Sequence, residues 1–131
     1  WNKELSYFGY GGKGKQVRDI LHVDDLFKLI DFQVHNMGKL SGQLYNVGGG
    51  TETSISLKEL TAICQKITGN KVNITEVTEE RQADIRIYIT DNTLVRAATG
   101  WRPAIGIEAI IVDIYHWIKE NEHLLRPILI G

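Results

Sequence analysis

The sequence predicts an α/β fold. Apolar residues recur at helical spacing in three long stretches, shorter apolar runs lie between these stretches, and glycines or polar residues separate the two kinds of segment. The composition, with 43% hydrophobic and 24% charged residues in 131 positions, is typical of a small globular protein. We therefore expect short strands that alternate with amphipathic helices.

The first half of the chain contains one long helix between shorter apolar segments. Leu5 to Phe8 suits a strand end or a loop, and Val17 to Leu21 is strand-like. A helix is expected from His22 to near Gly38, because apolar residues recur there at intervals of three and four. Leu44 to Val47, an apolar run stopped by three glycines, is predicted to be a strand.

The second half of the chain has clearer sequence signals for where its helices begin and end. Ser56 and Glu59 have the Ser-x-x-Glu form of a capping box and begin a helix that ends before Gly69. The remaining predicted elements are two strands, a short helix with Asp91 as N-cap and a long last helix: residues 72–77, 85–89, 91–100 and 107–121. The tail, His123 to Gly131, breaks the helical pattern and is not assigned.

Composition and charge exclude several functional classes. The net charge of −1 provides no field for nucleic acid or an anionic membrane. No apolar run approaches the roughly 20 residues of a membrane span, and no signal peptide is visible, so a cytoplasmic protein is expected. The single cysteine, Cys64, and four scattered histidines predict neither an intrachain disulfide nor a metal site.

Two glycine clusters resemble nucleotide-binding loops. Gly9, Gly11 and Gly14 spell Gly-x-Gly-x-x-Gly, but strand-like residues follow where a dinucleotide fingerprint requires a helix. A loop is therefore the preferred interpretation. Residues 48–50 do lie between a strand and a helix, yet the next spaced position is Thr53 rather than glycine, which favours a tight turn.

Several motifs together resemble the NAD-dependent nucleotide-sugar epimerases and dehydratases of the extended short-chain dehydrogenase/reductase family, with the CDP-paratose 2-epimerase group most similar. The matching positions are residues 14–22, 45–50, 81–84, Asp91 and residues 100–103. The resemblance covers the chain to about Asn121 and implies a C-terminal fragment of a Rossmann-type protein. Residues 1–50 would pack on an absent Rossmann domain, residues 51–121 would form most of a small substrate-binding α/β domain, and residues 122–131 stay unassigned.

The resemblance also implies a substrate site. Arg18 and Arg81 would contact the nucleotide diphosphate, Asp84 would orient Arg81, and Tyr88 would lie near the sugar. The residues alone favour a surface arginine paired with Asp19 or Asp24 at position 18 and a solvated loop charge at Arg81. For Tyr88, a place in an alternating strand is as good an interpretation as a place near the sugar. Two arginines are suited to the diphosphate because guanidinium binds phosphate oxygens bidentately.

In the resembled enzymes NAD takes and returns a hydride, and a tyrosine followed four residues later by lysine is the base. This chain has that spacing at Tyr115 and Lys119, on the last helix beside Trp117, where surface packing is the preferred interpretation. We therefore expect no catalytic residue and no NAD binding in this chain alone. The expected partners are a nucleoside-diphosphate sugar, CDP-linked by preference, and the missing NAD-binding domain; a non-catalytic nucleotide-binding module and a structural homodimer are the alternatives.

Overall fold

The computed structural model describes residues 4–80, 82 and 84–130, and this part of the chain has the predicted α/β architecture. The strands are β1 (Leu5–Phe8), β2 (Val17–Asp19), β3 (Ser54–Ser56), β4 (Ile74–Val77) and β5 (Ile87–Tyr88). The helices are α1 (Val23–His35), α2 (Met37–Leu40), α3 (Leu57–Thr68), α4 (Thr93–Thr99), α5 (Ile107–Glu120) and α6 (Glu122–Ile130). No helix among the described residues is both long and apolar enough to cross a membrane.

The chain divides into two compact units, each assembled from separate segments. The described residues of the first unit are 4–16, 56–80, 82, 84–86 and 108–130, and the second unit consists of residues 17–55 and 87–107. The predicted boundary at residue 50 does not coincide with this division, because each unit takes segments from both sides of it. The packing of residues 1–50 on a cofactor domain stays a prediction.

The first unit contains a two-stranded parallel sheet. Strands β1 and β4 pair in register from Leu5 opposite Ile74 to Phe8 opposite Val77. Helix α3 of this unit begins with the predicted capping box: the Ser56 hydroxyl accepts from the Glu59 N–H at 3.3 Å, and the Glu59 carboxylate accepts from the Ser56 N–H at 3.0 Å. The capping-box prediction is therefore confirmed.

The second unit contains a three-stranded sheet in the order β3-β2-β5. Strands β2 and β5 are parallel, with Arg18 opposite Tyr88. The core of this unit centres on Leu29 of α1 and Val95 of α4, which are 1% and 0% exposed. Helix α1 begins where the sequence predicts, because His22 is its N-cap and accepts from the Asp24 N–H at 3.1 Å.

One predicted assignment is wrong, and one segment left unassigned is a helix. Residues 44–47 form no strand, and Leu44 is 91% exposed, so the apolar run that suggested a strand is not buried. The strand beside β2 is instead β3, and the Ile20 N–H donates to the Thr53 carbonyl at 3.1 Å at this edge. The unassigned tail forms most of α6, which accommodates Pro127 in its interior.

Candidate substrate-binding site

Arg18 and Tyr88, two of the predicted site residues, are direct neighbours in the sheet of the second unit. They are register partners on the parallel strands β2 and β5, and side chains at such paired positions project from the same face. Arg18 is half-buried, and its Nη1 donates to the Val17 carbonyl at 2.8 Å. Tyr88 is 54% exposed. The sheet therefore places an arginine and a tyrosine at neighbouring positions on adjacent strands.

Asp84, the third predicted residue, belongs to the first unit and is held at two points. Its backbone carbonyl accepts from the Tyr10 hydroxyl at 2.5 Å, and its Oδ2 accepts from Gln16 Nε2 at 3.4 Å. The guanidinium of Arg86 stacks over the Tyr10 ring, with Cζ 5.9 Å from the ring centroid. Arg81 lies outside the described residues, so its orientation by Asp84 stays a prediction.

Gln16 is a contact of Asp84 that the sequence analysis did not identify. Its side chain is 5% exposed, and its Nε2 also donates to the Phe8 carbonyl. The residue lies within the quoted motif of residues 14–22, but a polar residue beside a predicted loop gives no sign of burial. Only the packing of the turn against β1 reveals it.

The Gly-x-Gly-x-x-Gly segment does not fit a dinucleotide. It forms a 3-10 turn at Tyr10–Gly12 and continues into β2, so the helix that would receive a pyrophosphate is absent from this position. Gly14 has φ +64°, and a Cβ there would lie 2.7 Å from Cε2 of the Tyr7 ring. Packing explains this glycine without a ligand, and the loop interpretation is confirmed.

The second glycine cluster forms a bend at Gly48 rather than the predicted tight turn, and it leads into a 3-10 helix at Thr51–Thr53. The Asp19 carboxylate accepts from the Gly50 N–H at 2.9 Å, while the Asn92 side chain accepts from the Gly48 N–H at 3.1 Å and donates to the Gly48 carbonyl at 2.9 Å. Burial alone would raise the pKa of Asp19, but hydrogen bonds from Gly50 and Thr90 lower the pKa overall. A charged Asp19 therefore anchors the bend.

The second unit also has a cavity of about 380 Å³ that the sequence did not predict. It is lined by Gly49, Gly50, Thr51, Glu52, Thr90, Asp91, Asn92, Thr93, Arg96, Trp101, Arg102 and Pro103. Asp91 accepts from the Thr93 N–H at 2.9 Å, but the N-cap of α4 is Asn92, so the predicted N-cap at Asp91 is wrong by one residue. Arg18 and Tyr88 do not line the cavity, so it is separate from the predicted site.

Asp25 fixes the corner formed by residues 101–106, next to this cavity. The side chain is 1% exposed, and its Oδ2 accepts from the N–H groups of Ala104 and Ile105 at 2.9 Å each. Its backbone carbonyl accepts from the Trp101 indole at 2.9 Å. The sequence analysis did not identify Asp25 as a functional or structural residue.

Metal and thiol chemistry find no support in the described part of the chain. No group of three or more His, Cys, Asp or Glu side chains there is arranged to hold a metal ion. Burial raises the pKa of the Cys64 thiol, which lowers the thiolate fraction at neutral pH.

Comparison with known proteins places this arrangement in a family. No protein-family model matches the chain. The chain is 30% identical to CDP-paratose 2-epimerase from Salmonella typhi over 84% of the chain and 32% of that protein. It is also 30% identical to dTDP-glucose 4,6-dehydratase from Streptomyces griseus, over 90% of the chain and 35% of that protein. The chain belongs to the extended short-chain dehydrogenase/reductase family of nucleotide-sugar epimerases and dehydratases.

Solved structures of this family share the fold. A UDP-glucuronic acid 4-epimerase from Bacillus cereus, in complex with UDP-glucuronic acid and NAD, matches with a TM-score of 0.77 and 19% identity, over 91% of this chain and 36% of that one. A dTDP-glucose 4,6-dehydratase from Bacillus anthracis, in complex with NAD, matches with a TM-score of 0.69 and 26% identity, over 88% and 35%. The chain spans about a third of the length of the curated relatives it matches.

Proposed function

We propose that this chain is the C-terminal, substrate-binding part of an NAD-dependent nucleotide-sugar epimerase that acts on a CDP-linked deoxyhexose. The observation that carries the proposal is the in-register pairing of Arg18 with Tyr88. A guanidinium can bind a diphosphate through two parallel hydrogen bonds, and a neighbouring phenol can pack against or hydrogen-bond a sugar. Both side chains have exposed surface for this contact.

Family membership supports a nucleoside-diphosphate sugar as substrate, and the motif of residues 14–22 supports a preference for CDP. By their names, the proteins compared above act on CDP-, dTDP- and UDP-linked sugars. The run of residues 14–22, which contains Arg18, most resembles the CDP-paratose 2-epimerase group. We therefore expect CDP to bind more tightly than UDP or dTDP, and parallel titrations with the three diphosphates test this order.

The cofactor half of the reaction would come from an NAD-binding domain outside this chain. Helix α1 supports this because it is apolar on two sides. Leu29 is buried in the second unit, while Val23, Phe27, Ile30 and Val34 are 48–70% exposed. These four residues are spaced by four, three and four positions and form one stripe, which we call the α1 stripe. A row of large, exposed apolar side chains is typical of a surface that packs against another domain or chain.

The test of substrate binding is a two-dimensional amide NMR titration with CDP and with NAD. We expect CDP to shift amide peaks near Arg18 and Tyr88, NAD to shift none, and Arg18→Ala to abolish the CDP response. Arg102→Ala is the matched control, since this exposed arginine belongs to the same unit but lines the separate cavity. A response that survives Arg18→Ala and disappears with Arg102→Ala would place the ligand in the cavity and overturn the proposed site.

A second candidate function, structural dimerisation, also rests on the α1 stripe. Light scattering over a range of protein concentrations separates the two. If the stripe normally packs on another domain, Phe27→Glu leaves the CDP response unchanged. A doubled mass that Phe27→Glu returns to the monomer value, together with no CDP response, would favour the structural role.

A further inference from the structure

The cavity of the second unit has the dimensions of a small-molecule site. Its volume of about 380 Å³ falls within the roughly 300–1,000 Å³ typical of ligand pockets. Three segments form its walls: residues 49–52, residues 90–96 and the corner at residues 101–103. All three segments belong to the second unit, so this unit alone forms the cavity.

Internal hydrogen bonds fix the walls of this cavity. The Asp19 carboxylate accepts from the Gly50 N–H at 2.9 Å and holds the first segment. The Trp101 indole donates to the Asp25 carbonyl at 2.9 Å and holds the corner. A site that is fixed by its own contacts loses little conformational freedom when a ligand binds.

Four charged side chains line the cavity, and the two signs lie at opposite ends of α4. Asp91 precedes the helix, and Glu52 lies on the segment whose backbone the Asn92 side chain binds. Arg96 is in the last turn of α4, and Arg102 follows the end of the helix. The cavity therefore has an acidic end and a basic end, and the charges of its lining sum to zero.

Three of these four charged groups have no internal partner. Asp91 accepts from the N–H and the hydroxyl of Thr93, at 2.9 and 2.5 Å. In the part of the chain that the structure describes, Glu52, Arg96 and Arg102 form no side-chain hydrogen bond or ion pair. Acidic residues near the start of a helix and basic residues near its end stabilise the helix. Glu52 and Arg102 lie outside α4, however, so helix stability alone does not account for them.

We propose that this cavity binds a zwitterionic α-amino acid with a large apolar side chain. The carboxylate of the ligand accepts from the guanidinium groups of Arg96 and Arg102, and its ammonium group donates to Glu52. The apolar side chain packs against Trp101, which supplies the aromatic surface of the lining. A polyanion such as CDP does not match a lining without net charge, so the inference does not depend on the proposed function.

Titration of the intact, unsubstituted chain with L-phenylalanine and two analogues tests the inference. The analogue 3-phenylpropionate lacks the ammonium group, and 2-phenylethylamine lacks the carboxylate. We expect L-phenylalanine to shift the Trp101 indole N–H peak and the amide peaks of residues 49–52, and each analogue to bind about tenfold more weakly. No response to L-phenylalanine, or equal affinity for all three compounds, would overturn the inference.

Substitutions at the two ends of the cavity assign each contact. Arg102→Ala and Glu52→Gln should each weaken L-phenylalanine binding about tenfold. Glu52→Gln should not weaken the binding of 3-phenylpropionate, which has no ammonium group, and Arg102→Ala should not weaken that of 2-phenylethylamine. These side chains are exposed and unpaired among the described residues, so the variants should fold.

Lys39→Ala is the matched control, because this exposed basic residue belongs to the same unit and does not line the cavity. An equal loss of L-phenylalanine affinity in Lys39→Ala and Arg102→Ala would mean that general charge screening causes the effect, and would overturn the inference. The two proposals fail separately. A missing CDP response contradicts only the proposed function, and a missing L-phenylalanine response contradicts only the amino-acid site.

Discussion

Replacing Asp25 by alanine should cost much of the stability of the second unit. Its buried carboxylate accepts from the N–H groups of Ala104 and Ile105 at 2.9 Å, and Lys28 Nζ lies 3.7 Å from its Oδ1. A hydrogen bond to a charged group contributes about 1.5–3 kcal/mol, and Asp25→Ala leaves two N–H groups without an acceptor. We expect the free energy of unfolding to fall by about 3–5 kcal/mol, a large part of the roughly 5–15 kcal/mol typical of a domain.

Urea unfolding, followed by circular dichroism and tryptophan fluorescence, measures this loss. Trp101 donates its indole N–H to the Asp25 carbonyl, so its emission also reports on the corner. Asp24→Ala is the matched control, because the neighbouring side chain is 67% exposed and should contribute only about 0.5 kcal/mol. Amide exchange at positions 104 and 105 should accelerate in Asp25→Ala alone. If the two variants lose the same stability, the assigned role of Asp25 is wrong.

Three further predictions follow from local geometry. The pKa of Asp19 is lowered in the folded protein, so its contribution to the free energy of unfolding is complete above the unfolded pKa near 3.8 and is lost as the pH falls through the folded pKa. On acid titration, the stability of Asp19→Asn should therefore decline less than that of the unsubstituted chain. Gly49→Ala should destabilise the protein strongly, because a Cβ would lie 2.2 Å from the Ile20 carbonyl oxygen, whereas Gly106→Ala has open space; thermal melting compares them. Cys64 should react with a thiol reagent more slowly than free cysteine at pH 8, because burial raises its pKa.

Elements whose signals are local could be predicted from the sequence. The capping box at Ser56 and the apolar stripe that follows it fix α3 without reference to the rest of the chain. The strand predicted at Leu44 to Val47 was wrong because its formation depends on a distant partner. An apolar run forms a strand only if a neighbouring strand pairs with it, and β2 pairs with Ser54–Ser56 instead. Helix α6 was missed because Pro127 interrupts the pattern that identifies a helix.

The polar residues of the two units differ among themselves in whether the sequence alone could identify them. Arg18 and Tyr88 were predicted because motif resemblance identifies them one at a time, and their pairing in the sheet was not visible from their separation of 70 positions. Asp25 and Gln16 were missed because burial of a polar side chain depends on contacts with distant segments. A sequence pattern identifies a polar residue and does not show whether water or a backbone N–H surrounds it.

The short run of residues 14–22 meets two different structural requirements. In the first unit, the buried Gln16 donates to Asp84 Oδ2 at 3.4 Å. In the second unit, Val17 and Arg18 pair with Ile87 and Tyr88 on the neighbouring parallel strand. Residues 14–22 therefore satisfy buried amide bonding and strand pairing within a few positions, which is a physical reason for so short a run to carry part of the family resemblance.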